Sequence, residues 1–236
     1  MNFTSANLLA VLALLTIPIP APTLAQGLPD HLELRYSWHY GNIKLGATKK
    51  ELKLKSDRYI LTSHTQAEGL GKLIDNGLLQ ERGEFKVDGQ TVVPLRYEQA
   101  RTGKKAYQRQ VTFDWQDNTL VYGNGHKEKL PKGTQDSGSL FFALMLQSGE
   151  ELDNKTVHVT NGRRLSHYRY TLEGTEPLHT PIGTLNTRRI MRSKPGRKET
   201  VTVWLATDRH NLPVKIVKQR EGRPATILLI ESVVGL

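Results

Sequence analysis

The feature that most constrains the fold is a run of alternating apolar and polar residues near the C-terminus. Between Thr180 and Ile230, four such stretches are separated by turn residues, of which Pro195-Gly196 and Glu221-Gly222 are the clearest. A period of two places successive side chains on opposite faces of a strand, and short turn signals join neighbouring strands as hairpins. The segment therefore predicts a four-stranded antiparallel meander.

The same alternation begins much earlier in the chain. From His31 to Tyr40 every second residue is apolar or aromatic, which is typical of a half-buried strand. Further strand patterns follow at regular spacing, including a hairpin at Asp88-Gly89, for roughly ten to twelve strands in all. The stretch from Gln66 to Gln80 contains three glycines, so bent strands and a short turn are equally open there.

One helix interrupts the strand pattern. The apolar run from Leu140 to Leu146 follows Asp136 and Ser137, either of which would cap a helix. Because the run is apolar nearly all round, we expect the helix to be buried and to plug one mouth of the sheet. The predicted fold is mainly β, a partly open antiparallel β-barrel with one buried helix.

The N-terminus resembles a secretory signal. The apolar run from Leu8 to Ile17 is shorter than the roughly 20 residues of a membrane span, and Pro18 and Pro20 follow it. A small residue, Ala25, offers a cleavage point, although the absence of Lys and Arg before the run leaves an uncleaved anchor open. We predict a signal peptide over residues 1–25, a single β-rich domain over 26–236, and a periplasmic location.

Composition narrows the classes of function. The 236 residues include no cysteine, which excludes disulfides, thiolate catalysis and thiolate metal sites. The formal net charge is +10, which favours an anionic membrane surface or an acidic glycan as a partner. Secretion argues against nucleic acid as a partner. An equally open interpretation is that Lys and Arg occupy the solvent-exposed faces of strands and discourage pairing at the sheet edges.

Catalytic and metal-binding motifs are absent from the sequence. The eight histidines are scattered without a close ligand pair, and no Gly-x-Ser-x-Gly elbow occurs. Asp136 and Glu176 would serve as an acid–base pair if they approached each other, but no spacing in the sequence brings them together. We therefore predict no enzyme activity, no metal and no cofactor.

Candidate ligand-binding residues are large apolar side chains and the polar pair before the helix. The polar pair has an alternative role as a helix cap and loop anchor, and the tryptophans have one in core packing. The densest basic run would form a rim that contacts phosphate headgroups, or a solvated loop. The predicted ligand-binding residues are Trp38, Trp115, Trp204, Leu140, Leu144, Gln135 and Asp136, and the predicted basic rim is Arg188, Arg189, Arg192, Arg197 and Lys198.

Short motifs in a fixed order carry a family resemblance. They include Tyr36-x-Trp38, Phe113-Asp114-Trp115, Gly133-Thr134-Gln135-Asp136, Thr180-Pro181-x-Gly183 and Leu212-Pro213-Val214. Together they resemble domain-of-unknown-function family 3108, a group of bacterial envelope proteins. The closing element also resembles, more remotely, the Lol-type outer-membrane lipoprotein carriers. This second resemblance implies a curved open sheet whose concave face holds acyl chains.

Three functional hypotheses follow. The first is a non-enzymatic periplasmic protein that binds a hydrophobic or amphiphilic envelope ligand, such as a lipid or lipoprotein acyl chain, in a concave β-sheet. The second is an envelope adaptor that recruits a protein partner by β-strand addition. The third is a hydrolase that depends on Asp136 or Glu176, for which the sequence offers no supporting motif.

Overall fold

The computed structural model describes residues 27–74, 76–147 and 149–236, so the predicted signal peptide lies outside the described residues. One sheet of fifteen strands contains nearly all of the regular structure. Three short helices are α1 (Gly71–Ile74), α2 (Ser139–Leu146) and α3 (Gly149–Leu152). The strands are β1 (His31–Tyr40), β2 (Ile43–Lys55), β3 (Arg58–Ala67), β4 (Leu78–Asp88), β5 (Thr91–Arg101), β6 (Tyr107–Asp114), β7 (Thr119–Tyr122), β8 (Lys127–Lys129), β9 (Gln135–Asp136), β10 (Thr156–Thr160), β11 (Leu165–Thr180), β12 (Gly183–Ser193), β13 (Glu199–Ala206), β14 (Leu212–Arg220) and β15 (Arg223–Val234).

The sheet is a long meander whose two halves join where the first strand pairs with the last. Strands β1 to β8 follow each other as antiparallel neighbours, as do β10 to β15. The first strand pairs with the last, Trp38 lying opposite Leu228, so β1 and β15 are in the middle of the sheet. The free edges are β8 and β9, and β9 pairs parallel to β10. The predicted partly open antiparallel barrel is confirmed.

Side chains bridge the gap between the two free edges. The carboxylate of Glu128 in β8 accepts a hydrogen bond from the backbone N–H of Leu165 at 3.0 Å. The hydroxyls of Tyr122 and Thr160 lie 3.4 Å apart across the same seam. No strand ladder joins β8 to β9 among the described residues, so the sheet stays open there and only side chains bridge the gap.

The connections alternate between the two ends of the barrel. The β1–β2, β3–β4, β5–β6, β7–β8, β10–β11, β12–β13 and β14–β15 connections lie at one end, which we call the open end. Helix α2 lies inside the other half, which we call the plugged end. The side-chain amide of Asn211, in the β13–β14 turn, donates to the carbonyl of Met145 in α2 at 3.5 Å.

Helix α2 forms the centre of the hydrophobic core. All of its residues are buried, as its nearly continuous apolar sequence predicts. The Phe142 ring stacks on Phe85 with 5.5 Å between centroids, and Phe141 meets Tyr36 edge-on at 6.2 Å. The helix therefore joins β1 to β4 and fixes the curvature of the sheet around it.

The structure resolves the two places where the sequence was least informative. The glycine-rich stretch contains neither bent strands alone nor a simple turn, because the short helix α1 connects β3 to β4. The structure has fifteen strands, more than the predicted ten to twelve, and two of them, β8 and β9, have only three and two residues and show no alternation. None of the helices in the described residues is long and apolar enough to cross a membrane.

Candidate functional site: a chamber at the open end

A row of polar side chains crosses five strands on the inner face of the barrel, above helix α2. Strand register places Lys50, Ser63, Glu81, Gln99 and Arg109 opposite one another in β2 to β6. The row shares the face of the buried Leu34, which lies opposite Lys50 in β1. We call these five residues the polar row.

Hydrogen bonds and one ion pair connect the polar row. The Lys50 ammonium lies 3.3 Å from the Ser63 hydroxyl and 3.8 Å from the Glu81 carboxylate. The Gln99 amide donates to Glu81 at 3.1 Å, and the Arg109 guanidinium donates to the Gln99 carbonyl oxygen at 3.4 Å. Continuous pairing of this kind is what buried polar groups require, because an unpaired one is costly.

Glu81 is the electrostatic centre of the row. Its carboxylate accepts a 2.5 Å hydrogen bond from the Tyr97 hydroxyl. Burial by itself raises the pKa of Glu81, but the Lys50 ammonium and the hydrogen bonds from Tyr97 and Gln99 outweigh it and hold the pKa below its usual value. Glu81 is therefore ionised beside a lysine inside the barrel.

A cavity opens above this ion pair. Its volume is about 290 Å³, and its wall combines apolar side chains with threonine methyl groups and the Lys50–Glu81 pair. Trp38, Leu79 and Leu228 supply most of the apolar wall. The cavity is at the lower end of the roughly 300–1,000 Å³ range typical of small-ligand sites. The lining residues are Trp38, Thr48, Lys50, Thr65, Gln66, Ala67, Gly77, Leu79, Glu81, Arg101, Thr226 and Leu228.

Close backbone packing shapes one wall of the cavity. Gly46 lies opposite Trp38 in the β1–β2 pair. A Cβ at Gly46 would lie 2.2 Å from the carbonyl oxygen of Gln66 in β3, so a side chain there would push the strands apart. The glycine lets β2 and β3 approach each other beneath the indole of Trp38.

A second cleft at the open end is strongly basic. Its volume is about 580 Å³, and three of the predicted rim residues line it, Arg192, Arg197 and Lys198. The Arg192 guanidinium lies 4.6 Å from the centroid of the Tyr168 ring. The other lining residues are Arg164, Lys194, Gly196, Glu199, Val201, Arg220, Glu221 and Gly222. We call this the basic cleft.

Acidic partners neutralise the basic cleft only in part. Lys198 pairs with Glu221 at 2.7 Å, and Glu199 pairs with Lys218 at 3.1 Å. Within the described residues, no carboxylate pairs with Arg164, Arg192, Lys194, Arg197 or Arg220. The cleft therefore retains excess positive charge that suits an anionic group.

The two other predicted rim residues lie elsewhere. Arg188 and Arg189 are earlier in β12 and are not among the residues that line the basic cleft. The Arg189 guanidinium pairs with Glu173 at 3.0 Å and with Glu176 at 3.5 Å. These two carboxylates neutralise the Arg189 charge on the sheet surface, so Arg189 is not part of the basic rim.

The three predicted tryptophans do not meet. Trp38 lines the cavity, whereas the Trp115 indole, beside the plugged-end turn after β6, donates to the carbonyl of Pro94 at 2.7 Å. Trp204 alternates out of phase with the buried Val203 and Leu205, which turns it to the outer face of the sheet. There its indole N–H donates to Glu176 at 2.6 Å, and the Lys215 ammonium lies 4.7 Å from the ring.

The polar pair before helix α2 acts within the core. One carboxylate oxygen of Asp136 accepts from the backbone N–H groups of Gly138 and Ser139, at 2.7 and 2.8 Å. The side-chain amide of Gln135 donates to the carbonyl of Val92 at 2.9 Å. Gln135 thus has the anchoring role that the sequence left open beside ligand contact. The predicted cap is wrong, because the N-cap of α2 is Gly138, with no side-chain cap hydrogen bond, and Asp136 lies two residues before it. Because Glu176 is on the outer surface and Asp136 is inside, the two carboxylates do not form an acid–base pair.

Burial shifts the pH range in which Asp136 ionises. Its second carboxylate oxygen has no partner, and burial raises the pKa of Asp136 to about 6, against the lowering effect of the backbone hydrogen bonds. Leu140 and Leu144, the remaining predicted residues, share with Gln135 a side cleft of about 190 Å³ between α2 and β10. That cleft is separate from the cavity lined by Trp38.

One group of potential metal ligands occurs in the described residues. His31, Glu33 and Glu51 have ligand atoms within 4.8 Å of one another on an exposed strand face. Lys49 pairs with Glu33 at 3.0 Å, and Lys53 pairs with Glu51 at 2.7 Å. The two carboxylates are thus already compensated by lysines, and this group supports no metal site.

Sequence reasoning missed the polar row because its members occur among other charged residues. Lys50 is one of three consecutive charged residues, a pattern typical of a solvated face. The available signal was the phase of the alternation, since Lys50 is in phase with Leu52 and Glu81 is in phase with Phe85. Following that phase through each strand predicts inward-facing charges.

These features define a class of protein: a β-barrel-like domain, plugged at one end by a helix and carrying cavities at the other. The chain belongs to the family described as Protein of unknown function (DUF3108), whose model matches residues 35–222. It is similar in fold to the beta-barrel-like protein of domain of unknown function DUF1849 from Brucella abortus. That similarity has 9% sequence identity and a TM-score of 0.55, and it covers 88% of this chain and 98% of the other. No curated protein matches the chain.

Proposed function

We propose that this protein is a non-enzymatic binding protein of the bacterial periplasm that holds an amphiphile at the open end of its barrel. The observation that carries the proposal is the cavity lined by Trp38, Leu79 and Leu228 beside a cleft with excess positive charge. The apolar part of the ligand would occupy the cavity. The anionic group would contact the basic cleft.

The size of the cavity limits the ligand. About 290 Å³ accommodates one short acyl chain or one end of a longer chain, because it is at the lower limit for small-ligand sites. The plugged half of the barrel offers no extension, since the aromatic rings of α2 fill it. The proposed ligand therefore places one chain in the barrel and keeps its polar part at the open end.

The β14–β15 hairpin connects the two parts of the proposed site. Thr226 and Leu228 of β15 line the cavity, whereas Arg220 and the turn residue Gly222 line the basic cleft. Lys218 lies opposite Thr226 in register. One ligand is thus able to contact both parts around the end of this hairpin.

Edge geometry favours this proposal over the adaptor hypothesis. Strand addition needs an accessible edge of several residues, and the free edges here have three residues in β8 and two in β9. Two of the three β8 residues are lysines, and the third, Glu128, bridges the seam to Leu165. Short charged edges of this kind discourage pairing with another strand.

Calorimetric titration with a series of straight-chain fatty acids tests the proposed function. We expect affinity to rise by up to about fourfold per added methylene until the cavity is full, as burial of about 0.8 kcal/mol per CH₂ implies. Raising the salt concentration should weaken binding, because the contribution of the basic cleft is screened.

Two tryptophan variants provide a matched comparison. Trp38→Ala removes a wall of the cavity and should weaken binding, whereas Trp204→Ala changes the outer face and should not. Thr226→Trp, which would fill the cavity, serves as a second test if Trp38→Ala fails to fold. Affinity that is independent of chain length and salt, or that falls equally in both tryptophan variants, would contradict the proposal.

A further inference from the structure

The open end carries an unusual concentration of exposed apolar side chains. Among the described residues, six large apolar side chains are exposed, and four of them are Tyr40, Ile43, Leu70 and Leu73, with 40%, 57%, 66% and 85% of their surface accessible. Tyr40 and Ile43 flank the β1–β2 turn, and Leu70 and Leu73 lie just before and within α1. The remaining two, Val234 and Leu236, are at the opposite end near the C-terminus.

Backbone contacts hold these segments beside one another. The N–H of Glu68, before α1, donates to the carbonyl of Leu45 at 2.8 Å. A Cβ on Gly71 would lie 1.9 Å from that same carbonyl oxygen, so α1 packs directly on β2. The β5–β6 turn packs against the segment after α1, because a Cβ on Gly103 would lie 3.0 Å from the Cα of Gly77. We call Tyr40, Ile43, Leu70 and Leu73 the apolar lip.

The two ends of the barrel differ in charge. Among the described residues, the seven connections at the open end carry eight basic and two acidic residues, whereas the five hairpin turns at the plugged end carry one basic and three acidic residues. The basic residues of the open-end connections are Lys72, Lys104, Lys105, Arg163, Arg164, Lys194, Arg197 and Lys198, and the acidic ones are Glu68 and Glu221. The connections at the open end are therefore basic, and the hairpin turns at the plugged end are weakly acidic.

Exposed apolar side chains surrounded by cations are the combination that binds anionic bilayers. Apolar residues enter the headgroup region, and each lysine near the surface adds electrostatic attraction. Lys72 lies between Leu70 and Leu73, and Lys104 and Lys105 occupy the turn packed beside α1. A second copy of this chain would cover the apolar lip but would bring one basic open end against another, whereas an anionic bilayer satisfies both the lip and the charge.

We infer that the open end docks on an anionic membrane surface, with the apolar lip inserted among the headgroups. The inference rests on the proposed function for its purpose, since docking would bring the mouth of the cavity to the lipids. Docking itself needs only the lip and the cations. The acidic plugged end would face away from the bilayer.

Vesicle flotation tests the inference with protein recovered from its own cell envelope without detergent. We expect binding to vesicles that contain phosphatidylglycerol and phosphatidylethanolamine, and little binding to phosphatidylcholine vesicles. The double variant Leu70→Glu/Leu73→Glu should lower partitioning by about tenfold or more, because two leucines leave the interface. Val234→Glu, an exposed apolar residue at the opposite end, is the matched control and should bind like the parent protein.

A charge variant tests the electrostatic part. Lys104→Glu/Lys105→Glu should lower partitioning by about thirtyfold or more, since two attractive charges near the surface are lost. Lys55→Glu, at the plugged end of β2, should leave partitioning unchanged. Every variant shares the same N-terminal segment, so differences among them report on the barrel.

The outcomes separate docking from ligand binding. Equal partitioning of the leucine variant and its control would overturn the inference even if fatty acids still bind. A dimer in the absence of vesicles that is lost in the leucine variant would also overturn it, because a second copy would then cover the lip. Vesicle binding that persists in Trp38→Ala while fatty-acid binding is lost would support docking independently of the cavity.

Discussion

At the scale of single residues, the inner wall of the barrel combines two buried carboxyl groups whose pKa values are shifted in opposite directions. Glu81 is held ionised by the Lys50 ammonium and by hydrogen bonds, and its pKa is below the usual value. Asp136 accepts hydrogen bonds from Gly138 and Ser139 before α2, and burial raises its pKa to about 6. The difference arises because a cation faces Glu81, whereas Asp136 has only hydrogen-bond donors, and the Glu81 charge raises its pKa further.

Removing the Lys50 ammonium should destabilise the protein, because Glu81 would then be a buried charge without its ion-pair partner. In Lys50→Met the Glu81 carboxylate stays buried without its cation, and we expect a loss of about 3 kcal/mol in the free energy of unfolding. Urea denaturation measures this loss. The double variant Lys50→Met/Glu81→Gln should recover most of it, because a neutral amide still accepts the hydrogen bond from Tyr97. A double variant as unstable as the single variant would contradict this account.

Asp136 should give the protein a distinctive dependence on pH. Its folded-state pKa of about 6 exceeds the usual 3.8, so the folded state binds more protons than the unfolded state between these values. The unfolding free energy should therefore fall as pH rises from about 4 to about 6, by about 3 kcal/mol in total, and then stay level.

The variant Asp136→Asn isolates that dependence. It keeps an oxygen that accepts from Gly138 and Ser139 but removes the titrating group. The difference in unfolding free energy between the variant and the parent protein should grow with pH across this window. Glu81 acts in the opposite direction, because stability from its lowered pKa is lost as pH falls below about 4.5. Its charge also helps to raise the pKa of Asp136, so the comparison is made above that pH, where Glu81 stays ionised in both proteins. A difference that is constant with pH would contradict the assignment.

At the scale of elements, helix α2 determines which half of the barrel interior is filled by side chains. Its eight residues are all buried, and its rings contact β1 and β4. The helix descends from the middle of the barrel to the plugged end, so the inner face above it is left to the polar row. The cavity at the open end exists because helix α2 is too short to fill the whole interior of the barrel.

Truncating the centre of α2 should be costly. Phe142→Ala removes a ring that is 1% exposed and stacked on Phe85, and we expect a loss of about 3–5 kcal/mol in unfolding free energy. Leu73→Ala in α1, where the side chain is 85% exposed, should change it by less than about 0.5 kcal/mol. Thermal and urea denaturation followed by circular dichroism provide the comparison. A tolerated Phe142→Ala would mean that the helix does not organise the core.

At the scale of the whole molecule, the first and last strands meet in the middle of the sheet. Strand β1 pairs with β15 along most of its length, and a Cβ on Gly235 would lie 2.1 Å from the carbonyl oxygen of His31. The free edges of the sheet, β8 and β9, come from the middle of the sequence. The first and last strands of the sequence are therefore in the middle of the sheet, and strands from the middle of the sequence form its edges.

A circular permutant should therefore fold. Joining the C-terminus to Gly27 through a short linker and opening the chain between Lys132 and Gly133 places the new ends at edges that are already free. We expect the permutant to keep its strand content and to melt within a few degrees of the parent protein. A permutant opened between Gly222 and Arg223, inside the β14–β15 hairpin, is the control and should be less stable. Equal destabilisation of both would show that the edges are not independent ends.

The sequence alone determined the strand class, the C-terminal meander and the buried helix, because the periodicity and the order of apolar runs are local properties. It did not determine the helix cap, because the N-cap residue is Gly138 and not Asp136 or Ser137. The family resemblance is confirmed, whereas the remote resemblance to lipoprotein carriers stays a prediction. Three of the five basic rim residues converge on one cleft, as their spacing in one hairpin loop allows.

The tertiary structure alone decided which residues line the cavity at the open end. Trp38 and Leu228 are 190 residues apart in the sequence, and they meet because β1 pairs with β15. Trp204 is out of phase with Val203 and Leu205, and it does not join Trp38 in lining the cavity. Lys50 and Glu81 form a site because the register of three strands aligns them. Turns and the hydrophobic pattern set the register within a hairpin, but no local pattern specifies the long-range pairing of β1 with β15.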